Sequence, residues 1–380
     1  MDKLFGGKET ASLGFGLMRL PEKDGAIDLD RVCDMVDAYM DAGLNYFDTA
    51  YVYHGGKSEE AVKEAIVKRY PRELFTVATK LPAWCIHKQE DVDRIFNEQL
   101  ERCGVDYFDY YLLHSVEDGN NYDTYENFDC FSWGMKMKEE GKIRHFGFSY
   151  HGSPDLLRTI LEWHPEVEFV QIQLNYADWE NPVVRSGELY EILRQKDIPM
   201  VIMEPVKGGS LANLMPELEK MLTDERPGCS PASWALRFCA SLPGVKMILS
   251  GMSTEEQMND NIGTFRNLEP LSEKEKGIIE EVRKIMMSKP TISCTACKYC
   301  VDGCPMSIMI PDIFRTVNTM RLYNDEFRPK TFYQGLIQRY GKASDCVACG
   351  QCESVCPQHL PVIKLLEEAS ELLDGEDSGR

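Results

Sequence analysis

Residues 43–53 read G-L-N-Y-F-D-T-A-Y-V-Y, and the reading of this stretch decides the fold. Asn45, Tyr46 and Phe47 have the character of a short buried strand, with Asp48 and Tyr53 following where the strand opens into a loop. In a β/α barrel that rim is where chemistry sits. Two later strand-like runs also end in polar residues: L-F-T-V-A-T-K in Lys80, and Y-F-D-Y-Y-L-L-H in His114.

Working outward, strand-like runs end near Gly16, Asp48, Lys80, His114, Ser149, Gln173, Glu204 and Ser250. Helical periodicity fills the gaps, at 28–42, 89–103, 154–163 and 188–196. Ser58 reads as an N-cap for the helix carrying Ala61, Val62, Ala65 and Ile66, and Gly43 as a C-cap. Eight such units in about 270 residues predict an α/β chain with a (β/α)8 TIM barrel rather than an open doubly wound sheet. The boundary is expected just after an amphipathic helix over 271–287, so that residues 1–288 form the barrel and 289–380 a smaller domain. Residues 375–380 are expected to fray. Residues 115–131, rich in aromatic and acidic side chains, read as a solvated loop overhanging the rim.

A formal charge of −20 argues against nucleic acid and anionic membranes as partners, because both would repel it. With no apolar run approaching a membrane span and no signal-peptide hydrophobic region in M-D-K-L-F-G-G-K, the expected location is cytoplasmic. Of the 14 cysteines, Cys33, Cys85, Cys103, Cys130, Cys229 and Cys239 are scattered and read as reduced thiols. The other eight fall between 294 and 356, a clustering that signals cofactor ligation rather than disulfides.

Those eight form two C-x2-C-x2-C-x3-C-P runs, at Cys294, Cys297, Cys300 and Cys304 and at Cys346, Cys349, Cys352 and Cys356. This is the ligand pattern of two [4Fe-4S] clusters in which the fourth Cys of each run ligates the other cluster. Cys294, Cys297, Cys300 and Cys356 are then one set, and Cys346, Cys349, Cys352 and Cys304 the other. Structural zinc does not explain the C-P endings. The 41 residues between the runs include helical patterns at 311–321 and 331–340, so the domain looks like an α-helical ferredoxin.

D-T-A-x-x-Y at 48–53, a strand-terminal Lys and a strand-terminal His resemble the catalytic tetrad of the aldo-keto reductases. The Cys-rich C-terminus narrows the resemblance to the bacterial and archaeal subfamily in which such a barrel is fused to a ferredoxin-like domain. The resemblance implies interconversion of an aldehyde or ketone and its alcohol with NADP or NAD, on a small-molecule substrate. Reducing a carbonyl by hydride requires an acid for the developing alkoxide, and a free phenol, with a pKa near 10, is a weak one. Tyr53 would be that acid, Lys80 would favour its phenolate, Asp48 would keep Lys80 charged and oriented, and His114 would orient the substrate oxygen.

The same resemblance assigns cofactor contacts. Gly16, Met18 and Arg19 lie beside the nucleotide with Asp48. Ser149 and Gln171 hold the carboxamide, with Tyr150 where an Asn is usual and Asn175 at a common family position. Glu204, Pro205, Val206, Lys207, Gly208 and Gly209 form the loop over the pyrophosphate, where Lys207 could neutralise a phosphate. After the eighth strand, Gly251 and Gln257 stand where many NADPH-dependent members carry a Lys and an Arg, with Glu255 and Glu256 nearby. Met252, Gln257 and Asn261 face the adenosine half. A 2′-phosphate beside two carboxylates would be poorly held, so NADH should be used at least as well as NADPH.

How the clusters join this chemistry stays open from sequence: electron exchange with a redox partner protein, a second redox step, or bracing of the fold. A rival reading is a redox-sensing or electron-carrying module with no carbonyl turnover of its own.

Overall fold

A computed structural model describes residues 4–7, 10–118, 120–181, 184–266, 268–289, 291–292, 294, 299–322, 327–356 and 359–374. Cys297, Pro290, Pro357 and the end 375–380 lie outside the described residues. The chain packs as two compact units: residues 1–208 with 232–272, and residues 209–231 with 273–380.

In the first unit eight parallel strands close into a barrel. They are β1 (Ser12–Gly16), β2 (Tyr46–Asp48), β3 (Thr76–Pro82), β4 (Phe108–Val116), β5 (Ile143–Tyr150), β6 (Phe169–Gln173), β7 (Met200–Met203) and β8 (Val245–Ser250). Each pairs with its sequence neighbours and β1 closes on β8, with Phe15 opposite both Ser250 and Phe47.

Side chains alternate between two apolar layers because successive Cβ atoms in a strand point to opposite faces. Tyr46, Ala78, Tyr110, Leu112, Phe169, Val201, Met247 and Leu249 pack together inside the barrel, with Phe5 plugging the bottom. The Phe5 amide donates to the Tyr110 hydroxyl at 2.6 Å. Phe47, Val77, Tyr111, Leu113, Val170, Ile172, Ile202 and Ile248 face the helices instead. Burying one such large side chain contributes roughly 1.5–3 kcal/mol.

The helices wrap this sheet. α1 (Leu29–Asp41) is capped by the Asp28 carboxylate, which accepts from the Arg31 amide at 3.3 Å. It ends at Ala42, one residue before the expected cap, and Gly43 takes the left-handed turn (φ +78°). α2 (Lys57–Val62) departs from expectation: Gly56 occupies the N-cap, and Ser58 is wholly buried, donating to the Leu17 carbonyl and sharing a 2.7 Å hydrogen bond with Thr49. α3 (Gln89–Cys103) ends on Gly104 in the left-handed region.

Residues 115–131 also differ from the loop expected. They contain the helix Asn120–Asn127, and Tyr125 is buried, its hydroxyl donating to the carbonyls of Leu81 and His114 and accepting from the Ala83 amide. An aromatic-rich acidic stretch thus ties the ends of β3 and β4 together through one phenol.

The second unit is helical. The helices Pro216–Glu225 and Glu273–Ser288 pack together, joined by Lys274 to Glu225 at 2.6 Å and Lys289 to Glu217 at 3.0 Å. Around the cysteines lie the helices Ile310–Leu322, Phe327–Ile337 and Val362–Leu373, with Ile308, Ile313, Phe314, Val317, Tyr333, Leu366 and Ala369 in their core. Ile308, four residues after Cys304, forms a parallel bridge with Gly341, five residues before Cys346. A Cβ on Gly341 would stand 2.2 Å from the Met306 carbonyl oxygen, so this close approach requires glycine.

Candidate active site

The inward-facing rows of the strands end in the polar residues singled out above. Two positions past the plug, Tyr46 gives way to Asp48, Ala78 to Lys80, Leu112 to His114 and Phe169 to Gln171, with Ser149 opposite Gln171 on β5. Period-2 alternation therefore delivers all five side chains to one mouth of the barrel.

At its centre the Lys80 ammonium donates to Asp48 Oδ1 at 2.6 Å and to the Thr49 carbonyl at 2.6 Å. Both side chains are almost fully buried, at 1% and 4% exposure. Nζ lies 5.0 Å from the centre of the Tyr53 ring, close enough for its charge to act on the phenol. Burial alone would lower the Lys80 pKa, but Asp48 and Tyr53 hold it above its ordinary value. Lys80 therefore stays charged. Burial pushes the Asp48 carboxyl up against the pull of Lys80. Removing Asp48 would strand a buried ammonium, at a cost of about 3–5 kcal/mol.

For Tyr53 the balance differs from the one expected. Burial raises its pKa, and the opposing effects of Lys80 and Arg19 do not cancel it. The hydroxyl is thus fully protonated at neutral pH, as a proton donor must be. Tyr53 stands edge-on to His114, with ring centres 6.0 Å apart at 80°, and Trp84 covers His114 at 5.1 Å. Trp84 is 46% exposed and was missed in the sequence, where only its place two residues after Pro82 could have signalled it.

His114 Nδ1, Asp48 Oδ2 and Gln171 Oε1 are buried without a hydrogen-bond partner among the described residues. Orphaned buried polar atoms are costly, and three at one barrel mouth fit a polar ligand seated there. Burial next to Lys80 depresses the His114 pKa well below the ordinary 6.5. As pH falls through 6.5 the unfolded chain takes up a proton that the folded site refuses, so stability is lost toward acid. His114→Gln should accordingly show a smaller drop in barrel Tm between pH 7.5 and 5.5 than the wild type; an equal drop would mean the imidazole is not held neutral.

The expected nucleotide contacts divide. Ser149 accepts from the Ser115 amide at 2.7 Å and keeps its own proton to donate. Gly16, the exposed Met18 and Arg19 lie at the end of β1, where a Cβ on Gly251 would touch Arg19. Tyr150 is turned to the helix side of the sheet, its hydroxyl donating to the Ser153 carbonyl, because it follows Ser149 by one position. Met252 is fully buried in that outer layer, and Asn261 is committed to Ser250 at 2.8 Å. Asn175 is buried and donates to Asp178 and to the Glu204 carbonyl.

The loop after β7 places Glu204 and Lys207 at positive φ, 54° and 50°, followed by Gly208 and Gly209 at 63° and 91°. Pro205 is buried and Val206 half-buried between them. Lys207 is paired with the buried Asp178 carboxylate, and Arg19 with Glu204 at 3.0 Å. At the end of β8, Gln257 accepts from the Ser253 amide, and Glu255 is gripped by Arg31 through two bonds of 3.1 and 2.5 Å. Arg31 holds the Glu255 carboxyl down at about 2. None of the three ion pairs was legible in the sequence, since the partners lie 29 to 224 positions apart.

In the second unit Cys304, Cys346, Cys349 and Cys352 line a single small cavity with Ile308, Ile310 and Leu366. The Ile308 amide donates to the Cys304 sulfur at 3.5 Å. Four thiols on an apolar cavity, three from one run and one from the other, fit a cubane cluster in donor type and number. Cys294, Cys300 and Cys356 are half-buried, and their expected companion Cys297 is outside the described residues.

Comparison with known proteins completes the picture. Residues 12–284 match the Aldo/keto reductase family and residues 293–360 match the 4Fe-4S dicluster domain. The chain is 26% identical over 298 residues to the uncharacterized oxidoreductase YqkF of Bacillus subtilis, covering 70% of this chain and 90% of that one. It is 25% identical over 299 residues to L-galactose dehydrogenase of Arabidopsis thaliana, covering 74% and 92%. Among solved structures, a Klebsiella pneumoniae aldo-keto reductase in complex with NADPH aligns with a TM-score of 0.57 at 22% identity, over 73% of this chain and 95% of that chain. At that identity the likeness speaks to the fold.

Proposed function

The chain belongs to the aldo/keto reductase family, and from that premise we propose that it interconverts an aldehyde or ketone and the corresponding alcohol with a nicotinamide cofactor. The catalytic unit in this reading is the barrel, residues 1–288, and the redox unit is residues 289–380, in the cytoplasm. The observation that carries it is the buried Lys80 ammonium, held by Asp48 and Thr49 and standing 5.0 Å from the centre of the Tyr53 ring. A nicotinamide cofactor, when bound, would supply hydride for the carbonyl carbon. Tyr53 gives its proton to the carbonyl oxygen as charge develops there, and Lys80 stabilises the phenolate left behind. His114, neutral, donates to the same oxygen and orients it. Anaerobic assay of a panel of sugars, aromatic ketones and short aldehydes tests the reading; no turnover of any member with either nucleotide would turn it toward an electron-carrying module.

Ser149, Gln171 and Asp48 would hold the nicotinamide end. Glu255 sits at the start of the helix Glu255–Arg266, anionic and occupying the Arg31 guanidinium. A 2′-phosphate there would meet a carboxylate and an already engaged Arg31, so kcat/KM with NADH is expected to equal or exceed that with NADPH. Glu255→Lys should move the ratio toward NADPH by about tenfold. A wild-type preference for NADPH of a hundredfold would contradict this.

The eight cysteines of the two runs would hold two [4Fe-4S] clusters, one of them on Cys304, Cys346, Cys349 and Cys352. Such clusters supply one-electron exchange. Cys349 is exposed, which suits exchange with a redox partner protein at that corner.

A further inference from the structure

Behind the Lys80–Tyr53 pair lies a second polar layer with no direct part in proton transfer. Glu59, on the first turn of α2, is 0% exposed, and so are Thr79 and Gln99. Glu59 Oε1 accepts from the Thr79 hydroxyl at 2.8 Å and from Gln99 Nε2 at 2.9 Å. Gln99, on α3, also donates to the Lys80 carbonyl at 3.0 Å and to the Thr79 hydroxyl at 3.1 Å, and its own carbonyl accepts from the Tyr111 hydroxyl at 2.6 Å. The other Glu59 oxygen faces Arg102 at 3.5 Å, and that guanidinium covers the Tyr51 ring at 4.3 Å and reaches the Tyr51 carbonyl.

A wholly buried carboxylate is retained only at a cost in desolvation, which the two short hydrogen bonds and Arg102 offset in part, burial still pushing the Glu59 carboxyl above its ordinary range. Its neighbours identify what it holds. Thr79 and Lys80 are consecutive on β3, and Tyr51 lies two residues before Tyr53. One carboxylate therefore ties the backbone that carries the ammonium to the loop that carries the phenol.

Resting on the reading of Tyr53 as proton donor, we propose that Glu59 is a positioning residue that, through Gln99, Thr79 and Arg102, holds the Lys80 ammonium in register with the Tyr53 hydroxyl. Lys80 has two of its donors committed to Asp48 and Thr49, so the direction of the third is set by where the Lys80 backbone sits relative to the 48–53 loop. Loosening that backbone moves the ammonium away from the phenol while leaving the nucleotide contacts in place.

The test uses Glu59→Gln, which keeps the shape and removes the charge, and Gln99→Met, which removes all of the side-chain amide's hydrogen bonds in a side chain of similar length, in the full cluster-loaded chain. Each should lower kcat for carbonyl reduction by about ten- to a hundredfold. Each should leave nucleotide Kd within twofold and raise the solvent deuterium isotope effect on kcat, because proton transfer from Tyr53 becomes more limiting. A loss of kcat with an unchanged isotope effect, or no loss in either variant, overturns the proposal. If Glu59→Gln does not fold, Gln99→Met alone decides it by the same two outcomes. Tyr53→Phe, assayed alongside, separates the two levels: full activity there would defeat the proton-donor reading itself, whereas an inactive Tyr53→Phe with unaltered Glu59 and Gln99 variants would defeat only the positioning role.

Discussion

Tyr53→Phe is expected to lower carbonyl reduction by about 10³-fold while leaving nucleotide affinity within a factor of about three, since a positioned general acid contributes roughly 10²–10⁴. The substitution removes one oxygen. The ring stays edge-on to His114, and the Lys80 ammonium keeps Asp48 and the Thr49 carbonyl, so neither fold nor cofactor contacts depend on the lost hydroxyl. What disappears is the phenolic proton beside a charged, 1%-exposed lysine. Lys80 cannot take over the role, because Asp48 holds its pKa above the ordinary value and makes it a poorer acid. Measuring kcat alongside fluorescence titration of the nucleotide checks both halves. Less than a tenfold loss in kcat would remove Tyr53 from the chemistry and, with it, the function proposed for the barrel.

The second large effect concerns Cys304. It is the last cysteine of the first run, yet the cavity it lines is otherwise furnished by Cys346, Cys349 and Cys352 of the second. Cys304→Ala should therefore remove the cluster of the second run, taking bound iron from about eight to about four per chain. The remaining electron paramagnetic resonance signal should match that of Cys346→Ala and differ from that of Cys294→Ala. If each run held its own cluster, Cys304→Ala and Cys294→Ala would instead give the same spectrum, and cross-ligation would be wrong. Cluster loss should also cost structure. The Ile308–Gly341 bridge joins the two runs, and without metal to hold the sulfurs the four thiols would line a cavity with nothing to close it. Removing iron under anaerobic chelation should lower helical circular dichroism and leave the barrel's thermal transition in place.

Much of this was written in the order of residues. The eight strands were legible because each is a short apolar run, most of them carrying a polar residue at or near the C-terminal end, where the mouth of a closed barrel admits it. The places of Asp48, Lys80 and His114 at the rim were legible for the same reason, since each stands two positions beyond a residue of the barrel interior. The stretch 115–131 was misread because Tyr122 and Tyr125 lack an apolar period among acids and asparagines. Their burial is a tertiary fact, and for Tyr125 it comes with the carbonyls of Leu81 and His114 that its hydroxyl meets. Ser58 was misread as a cap because the rule is local, while its partners, Thr49 and Leu17, belong to other elements.

The sequence by itself determined the barrel, the rim positions of the tetrad and the eightfold thiol pattern, because alternation and ligand spacing are properties of consecutive residues. Only the tertiary structure decided which charges are already spent: Lys207 on Asp178, Arg19 on Glu204, Arg31 on Glu255, and the layer around Glu59 beneath Lys80. Ion pairs and buried hydrogen bonds join residues that folding brings together from far apart in the chain, and no local pattern records whom a charge will meet.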